Sequence, residues 1–253
     1  MPGLIQSVQR AAAILRLLAT RSRPLGVAEL ANALGLPKTT VHGILRTLQH
    51  VGFVEQDPHS GRYRLGAALL HLGGSYLDGN ELRTRALNWA DALAARSGES
   101  VRIGTLHEGR VLVVHHVFRP DDSLQALDVG TLLPAHCTAL GKVLLAYEPD
   151  PAGQLPTPLD APAPAAITSP AALKRELAAV RRRGWALDAE ESAPGILAVA
   201  APIRDRRGIT VGAIGVSGTV ERLRAGGTLR ADLVPHVRDA ADSISRDLGF
   251  PDG

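Results

Sequence analysis

Three groups of residues in this 253-residue chain have types and spacings that could carry chemistry. The first is nucleophilic. Cys137, the single cysteine, follows His136, and an imidazole beside a thiol is the beginning of thiol catalysis. Its sequence neighbours are apolar and supply no evident carboxylate to orient the histidine, so an inert buried thiol is the favoured reading. The second is metal-binding. His107, His115 and His116 lie close in sequence, but adjacent residues of a strand point to opposite faces, which keeps His115 and His116 from sharing one ion. No H-x-x-x-H or C-x-x-C spacing is present, and no Walker or dinucleotide glycine loop. No catalytic residue, metal site or cofactor is therefore expected. The third group is built for hydrogen bonding: Thr39, His42, Gly43 and Arg46 recur at helical spacing on one polar face. Arg62 and Arg64 follow, flanking Tyr63, so that alternation puts both guanidinium groups on one face of a strand.

These residues need a frame, and periodicity supplies it. Ile5, Val8, Ala12, Leu15 and Ala19 predict a first helix, with Ser7 placed at its entry and Pro24 and Gly26 beyond its end. Val27, Leu30, Ala31 and Leu34 give a short second helix that Gly35 can end in the left-handed conformation. Pro37 can open a third, whose apolar side is Val41, Ile44, Leu45 and Leu48. Two short helices around a tight glycine turn, the second with an exposed hydrogen-bonding face, form the helix-turn-helix pattern. Phe53–Gln56 and Arg62–Leu65 around a Pro/Gly turn predict a hairpin, placed where a wing belongs. A winged helix-turn-helix over residues 1–65, a linker helix over 66–79 and a second domain over 80–253 follow.

The second domain reads as strands near 101–106, 111–114, 124–129, 196–204 and 210–217, with helices near 80–96, 140–147, 170–183 and 229–248. Seven prolines between 149 and 170 exclude a regular helix or central strand there. The expected class is α+β, an antiparallel sheet flanked by helices. Charge is uneven: residues 1–65 carry a net +5 and the remainder −2, as suits a polyanion binder at one end. The lone cysteine fits a reducing cytosol, and no apolar run approaches the ~20 residues of a membrane span, so a cytoplasmic protein with no membrane partner is expected. A winged helix used for protein contact is the competing class; steep weakening by salt distinguishes DNA binding from it.

The order and wording of the segments resemble the IclR family of transcriptional regulators over nearly the whole chain. The matching stretches are Ser7-Val8-Gln9-Arg10-Ala11 through Arg62-Tyr63-Arg64-Leu65-Gly66, Leu133-Pro134-Ala135-His136 through Leu140-Gly141-Lys142, Arg183-Gly184-Trp185-Ala186 through Glu190-Glu191, Ala200 through Asp205, and Gly215-Val216-Ser217-Gly218. Within the family the likeness is greatest to actinobacterial glycerol-operon regulators, carried by Gly43–Leu48, Val114–Ser123 and Asp205-Arg206-Arg207. The resemblance implies a GAF-like effector domain, repression of glycerol-catabolic genes, release by a glycerol-derived metabolite, and a homodimer or dimer of dimers on operator DNA. An activator, or a regulator of another carbon-source pathway answering a small organic acid, remains the alternative.

By the same resemblance the third helix enters the major groove. Lys38, Thr39 and Thr40 then meet phosphate or base edges, Arg46 is the candidate for a bidentate guanine contact, and His42 and Gly43 lie beside it. Arg62 and Arg64 are expected on phosphate or in a minor groove. The effector positions implied are Thr138, Ala139, Leu140, Asp188, Ala198, Gly215 and Ser217. The start of the helix at 139 suits an anion, Asp188 suits ligand hydroxyls, and Ser217 both donates and accepts. Asp188 capping a turn before Glu190-Glu191 is the other reading of that residue. Some members carry cysteine where Ala198 stands and serine where Gly215 stands; the smaller residues imply a roomier pocket, with glycerol 3-phosphate as the first candidate effector.

Overall fold

The computed structural model describes residues 3–21, 23–121 and 125–251, and these divide into two compact units at Gly79/Asn80. In the first unit, α1 (Gln6–Ala19), α2 (Val27–Leu34) and α3 (Lys38–His50) are followed by the strands β1 (Val54–Gln56) and β2 (Tyr63–Leu65) and by α4 (Ala67–Asp78). The helical apolar stripes meet in one core: Ile14 and Leu18 of α1, Leu30 and Ala31 of α2, and Val41, Leu45 and Leu48 of α3, closed by Val54 and Tyr63 of the hairpin. Gly35 ends α2 at φ +63°, where a side chain would be strained, and lets the chain turn into α3. Leu25 exchanges two backbone hydrogen bonds with Tyr63, at 2.9 and 2.8 Å, so the hairpin is tied to the segment before α2. Gly66 lies against the backbone of Gly52, where an added Cβ would come within 2.2 Å of the carbonyl oxygen.

Some expectations need correction here. Ser7 does not cap α1; the position before the helix is Ile5, and Ser7 lies in its first turn. Ile5 and Val8 are 69% and 63% exposed, so the start of the apolar stripe of α1 finds no cover within the chain. The wing strands are three residues each, with Phe53 and Arg62 just outside them. No residue of α4 is buried.

The second unit is built on a six-stranded, wholly antiparallel sheet in the order β5-β4-β3-β8-β7-β6. Its strands are β3 (Ser100–His107), β4 (Arg110–Val117), β5 (Leu132–Pro134), β6 (Ala186–Ala189), β7 (Ile196–Arg204) and β8 (Thr210–Thr219). The helices α5 (Glu81–Ser97) and α9 (Leu233–Asp247) pack on each other and on the sheet, while α6 (Ala139–Tyr147) packs on the sheet and α7 (Pro170–Arg183) packs on α6. A single-turn helix α8 (Val220–Leu223) and a two-residue hairpin, β9 (Arg224–Ala225) with β10 (Thr228–Leu229), precede α9. The strand expected at 124–129 is not formed: Gln125 to Asp128 are irregular and Leu124 lies outside the described residues. The last helix begins at Leu233 and not near 229. The proline-rich stretch holds no helix or strand up to Pro170. Among the described residues no helix is long and apolar enough to cross a membrane.

Adjacent residues of α3 have opposite tasks, which gives a direct test. Leu45 is fully buried, and Leu45→Ala is expected to destabilise the first unit by about 2–5 kcal/mol. Arg46, exposed beside it, is expected to change stability by no more than about 0.5 kcal/mol when replaced by alanine. Chemical denaturation measures both, and equal losses would give Arg46 a packing role.

Candidate functional site

The polar face of α3 is open. Lys38, Thr39, His42, Gly43 and Arg46 are exposed and Thr40 is half-buried, while Thr39, His42, Gly43 and Arg46 line an open hollow with Thr47 and His50. An added Cβ at Gly43 would meet nothing within 4 Å, so nothing inside the chain requires glycine there. A helix-weakening residue with no internal use leaves the face flat for something outside.

The wing arginines are both paired within the chain. Arg62 Nη1 donates to Glu29 Oε2 at 2.8 Å and to the Pro24 carbonyl at 3.1 Å, which makes it a brace between wing and α2. Arg64 donates instead to Glu55 Oε2, through Nε at 3.1 Å and Nη2 at 3.0 Å, and keeps 67% of its side chain exposed. The two guanidinium groups leave the same side of the hairpin but do not act together. Glu29, which the sequence did not single out, gathers three groups: the Gly26 amide at 2.8 Å, Arg23 at 2.8 Å and Arg62. Chiefly the amide hydrogen bond, then Arg23, lowers its pKa to about 2.

In the second unit all seven expected effector positions, Thr138, Ala139, Leu140, Asp188, Ala198, Gly215 and Ser217, line one cavity of about 510 Å³. Strand register explains why. Asp188 pairs with Ala198, Ala198 with Ser217 and Ser217 with Ser100; one row over, Ala200 pairs with Gly215, Gly215 with Arg102 and Arg102 with His116. Side chains directly opposite in a ladder share a face, so these two rows form one wall. The start of α6 forms another. Ala139 and Leu140, its first residues, have amides without an acceptor inside the helix.

Several polar groups at the cavity are already engaged. Thr138 Oγ1 donates to the Pro134 carbonyl at 2.8 Å and accepts from the Gly141 amide at 3.2 Å. Ser217 Oγ accepts from Arg102 Nη1, and Arg102 Nε and Nη2 both reach Asp128 Oδ2 at 2.6 Å. Asp188 Oδ1 accepts from the amides of Glu191 at 2.8 Å and Ser192 at 3.2 Å, so it does cap the turn after β6 while also lining the cavity. Burial, outweighing those hydrogen bonds, raises its pKa. Gly215 does not widen the pocket: a Cβ there would come within 2.5 Å of the Val199 carbonyl, so the glycine lets β7 approach.

Sequence reasoning missed the cationic side of this cavity. Arg102, Arg119 and Arg222 line it, as does His116, whose Nδ1 accepts from the Asp128 amide at 3.2 Å. That bond fixes the neutral Nε2–H tautomer, which donates to Ser100 Oγ at 2.8 Å, and burial lowers the pKa in the same sense. Arg222 forks onto Glu99, which is almost fully buried, with contacts of 2.7 to 3.1 Å. The signal was available, since Arg102 and His116 extend a row already named, but reading it required the register. Two residues beneath the wall were also missed as a pair: Lys142, 1% exposed, donates to Glu191 Oε1 at 2.5 Å. Cys137 is fully buried, and burial first, then Asp188 and Glu191, push its pKa up to about 12. The carboxylates that the sequence placed nowhere near it thus suppress the thiolate. Among the described residues no three His, Cys, Asp or Glu gather to hold a metal.

The raised pKa of Asp188 has a worked sign. The folded state binds its proton more tightly than the unfolded chain, so this group favours folding at low pH and that contribution is lost as pH rises through its folded pKa. Asp188→Asn, which keeps an acceptor for the two amides, is expected to match or exceed the native stability at pH 7. The two proteins should converge as pH falls toward ~4. Asp188→Ala, which frees those amides in a buried turn, is expected to cost about 1–3 kcal/mol at both pH values. Denaturation curves at pH 7 and pH 4 check this; an asparagine variant as unstable as the alanine one would overturn it.

Comparison with known proteins identifies the family of both units. The model of the IclR helix-turn-helix domain matches residues 7–58, and that of the bacterial transcriptional regulator IclR C-terminal domain matches residues 74–246. The Glycerol operon regulatory protein of Streptomyces coelicolor is 56% identical over 246 residues, covering 97% of each chain. That of Streptomyces griseus is 54% identical over the same length and coverage. The crystal structure of an IclR transcriptional regulator from Alicyclobacillus acidocaldarius superposes with a TM-score of 0.83 at 29% identity, covering 98% of each chain. With a polar helix face exposed in one unit and a lined cavity in the other, the chain belongs to the IclR family of DNA-binding transcriptional regulators.

Proposed function

We propose that this regulator represses a glycerol-catabolic operon and is released from its operator by glycerol 3-phosphate. The names of the two Streptomyces relatives support the pathway. The observation that carries the effector class is the polarity of the cavity, with Arg102 at one side and Asp188 at the other. Arg102 reaches the β8 residue Ser217, and β8 lies two strands from the β6 residue Asp188, a span of ~10 Å at the usual strand spacing. A phosphate at the arginine and hydroxyls at the carboxylate then stand apart, and Asp188 does not repel the charged end. The amides of Ala139 and Leu140 face the same anion.

On DNA, α3 enters the major groove: Arg46 reads a base, His42 and Gly43 lie against the floor, and Lys38, Thr39 and Thr40 hold phosphate. Arg64 exchanges Glu55 for phosphate, and Arg62 keeps the wing in place. A homodimer, or a dimer of dimers, presents two such helices to a two-fold operator. The exposed Leu70, Leu72 and Tyr76 of α4 offer apolar surface for a second copy. Repression requires that effector bind the DNA-incompetent arrangement more tightly, since only differential affinity moves the equilibrium.

Three variants test the DNA reading by fluorescence anisotropy against operator and random duplex. Arg46→Ala is expected to cost about 1–3 kcal/mol on operator and to relax one base position, whereas Arg64→Ala weakens both duplexes alike. Gly43→Ala is expected to stabilise α3 by about 0.5–1 kcal/mol while weakening operator binding, a combination that a purely structural face would not give. Equal losses on both duplexes for Arg46→Ala would remove it from base readout.

Calorimetry and operator release test the effector. Glycerol 3-phosphate is expected to bind and to release the DNA, with Arg102→Gln abolishing both. Release by an unrelated small organic acid, with no binding of glycerol 3-phosphate, would move the protein to another carbon-source pathway.

A further inference from the structure

A second cavity of about 200 Å³ lies in the same unit and shares no lining residue with the first. Its walls carry Arg181, Arg182 and Arg183 from the last turn of α7, Arg204 from the end of β7, and Arg238 with a single carboxylate, Asp242, from α9. Five arginines from three elements thus line one small hollow.

Ordinary structural duties account for part of this set. Cations in the last turn of a helix are favoured by its macrodipole, which covers the three α7 residues. Arg183 is further satisfied by Glu176 at 2.7 Å, by the Trp185 carbonyl at 2.6 Å and by the face of the Trp185 ring. Arg204 and Arg238 gain nothing from that helix end. Neither they nor Arg181 and Arg182 form a salt bridge with any described residue.

Arg204 is the informative one. Its guanidinium carbon lies 5.1 Å from the centre of the Tyr147 ring and 5.7 Å from that of Phe250, and its backbone amide is held by Ser245 Oγ at 2.9 Å. Aromatic faces attract the charge without using the in-plane N–H groups. The result is a positioned cation whose donors remain for a partner, in a hollow lined by four further arginines. Such a cluster of like charges is relieved when an anion enters it.

We propose that this cavity is a second anion site, separate from the effector cavity, for a compact multiply charged phosphate such as a diphosphate. Arginine suits that class because its planar fork matches phosphate oxygens two at a time. The five guanidinium groups supply more charge than a monoanion can use, and the volume holds a diphosphate group while leaving any attached moiety in solvent.

Inorganic pyrophosphate is the probe, titrated by calorimetry into the full-length protein at constant ionic strength. Saturable binding is expected, weakened at least tenfold by Arg204→Gln and unchanged by Arg102→Gln, which alters only the effector cavity. Tyr147→Leu removes one ring beneath the cation and is expected to weaken binding by a smaller factor. Should Arg204→Gln fail to fold, the surface pair Arg182→Gln and Arg238→Gln takes its place with the same expected loss. Pyrophosphate should also raise the melting temperature more than chloride does at matched ionic strength. The proposal fails if no saturable binding occurs, if the Arg204 and paired variants bind as the native protein does, or if Arg102→Gln is the change that abolishes binding. Displacement of pyrophosphate by random-sequence duplex would also overturn it, because the cluster would then be a DNA-backbone contact.

Discussion

The buried ion pair between Lys142 and Glu191 holds the second unit in its working shape. Lys142 sits one turn into α6, and Glu191 lies in the turn after β6. A charge taken that far from water is tolerated only with its partner in place, so the pair fixes α6 against the sheet edge. Both walls of the larger cavity depend on that one contact: the helix start at Ala139 and Leu140, and the turn that Asp188 caps. Glu176 extends the network, lying 3.9 Å from Lys142 and 2.7 Å from Arg183. A line of charges therefore runs from the arginine-lined hollow to the turn capped by Asp188, which lines the larger cavity. β7 joins the same two places through its backbone, with Ile196, Ala198, Val199 and Ala200 lining one and Ala201, Pro202 and Arg204 the other.

The first unit was legible in the sequence because its elements obey strong local rules. Helical stripes, a left-handed glycine and a Pro/Gly hairpin turn each specify their neighbourhood without help from distant residues. The second unit was legible only in part. The long strands β3, β4, β7 and β8 announce themselves, whereas β5 and β6, three and four residues long, are too short for alternation to show. The segment at 125–128, expected within a strand, serves another end. Gln125 exchanges hydrogen bonds with the backbone of Arg119, and Asp128 is claimed by Arg102 and His116.

The site residues divide in the same way. The exposure of those on α3 was readable from spacing, because a helix displays its exposed face in its own sequence. The effector positions came from likeness to a family, and the cationic half of that cavity from neither. Arg102 and His116 come together only through ladder register, Arg222 joins them from α8, and the register of β3 shifts between Ile103 and Gly104 where no local residue pattern marks it. Partner choice was equally hidden: nothing near Arg62 in sequence names Glu29, thirty-three positions away, as the group that takes its charge.

The separation of duties on α3 reaches beyond a single molecule. Val41, Leu45 and Leu48 carry the packing, while Thr39, His42, Gly43 and Arg46 touch nothing that holds the fold together. Substitutions on the outer face are therefore nearly free of thermodynamic penalty. On the proposed DNA reading, a lineage retargets such a protein to a new promoter after gene duplication by exchanging four or five side chains, without first acquiring compensating mutations elsewhere.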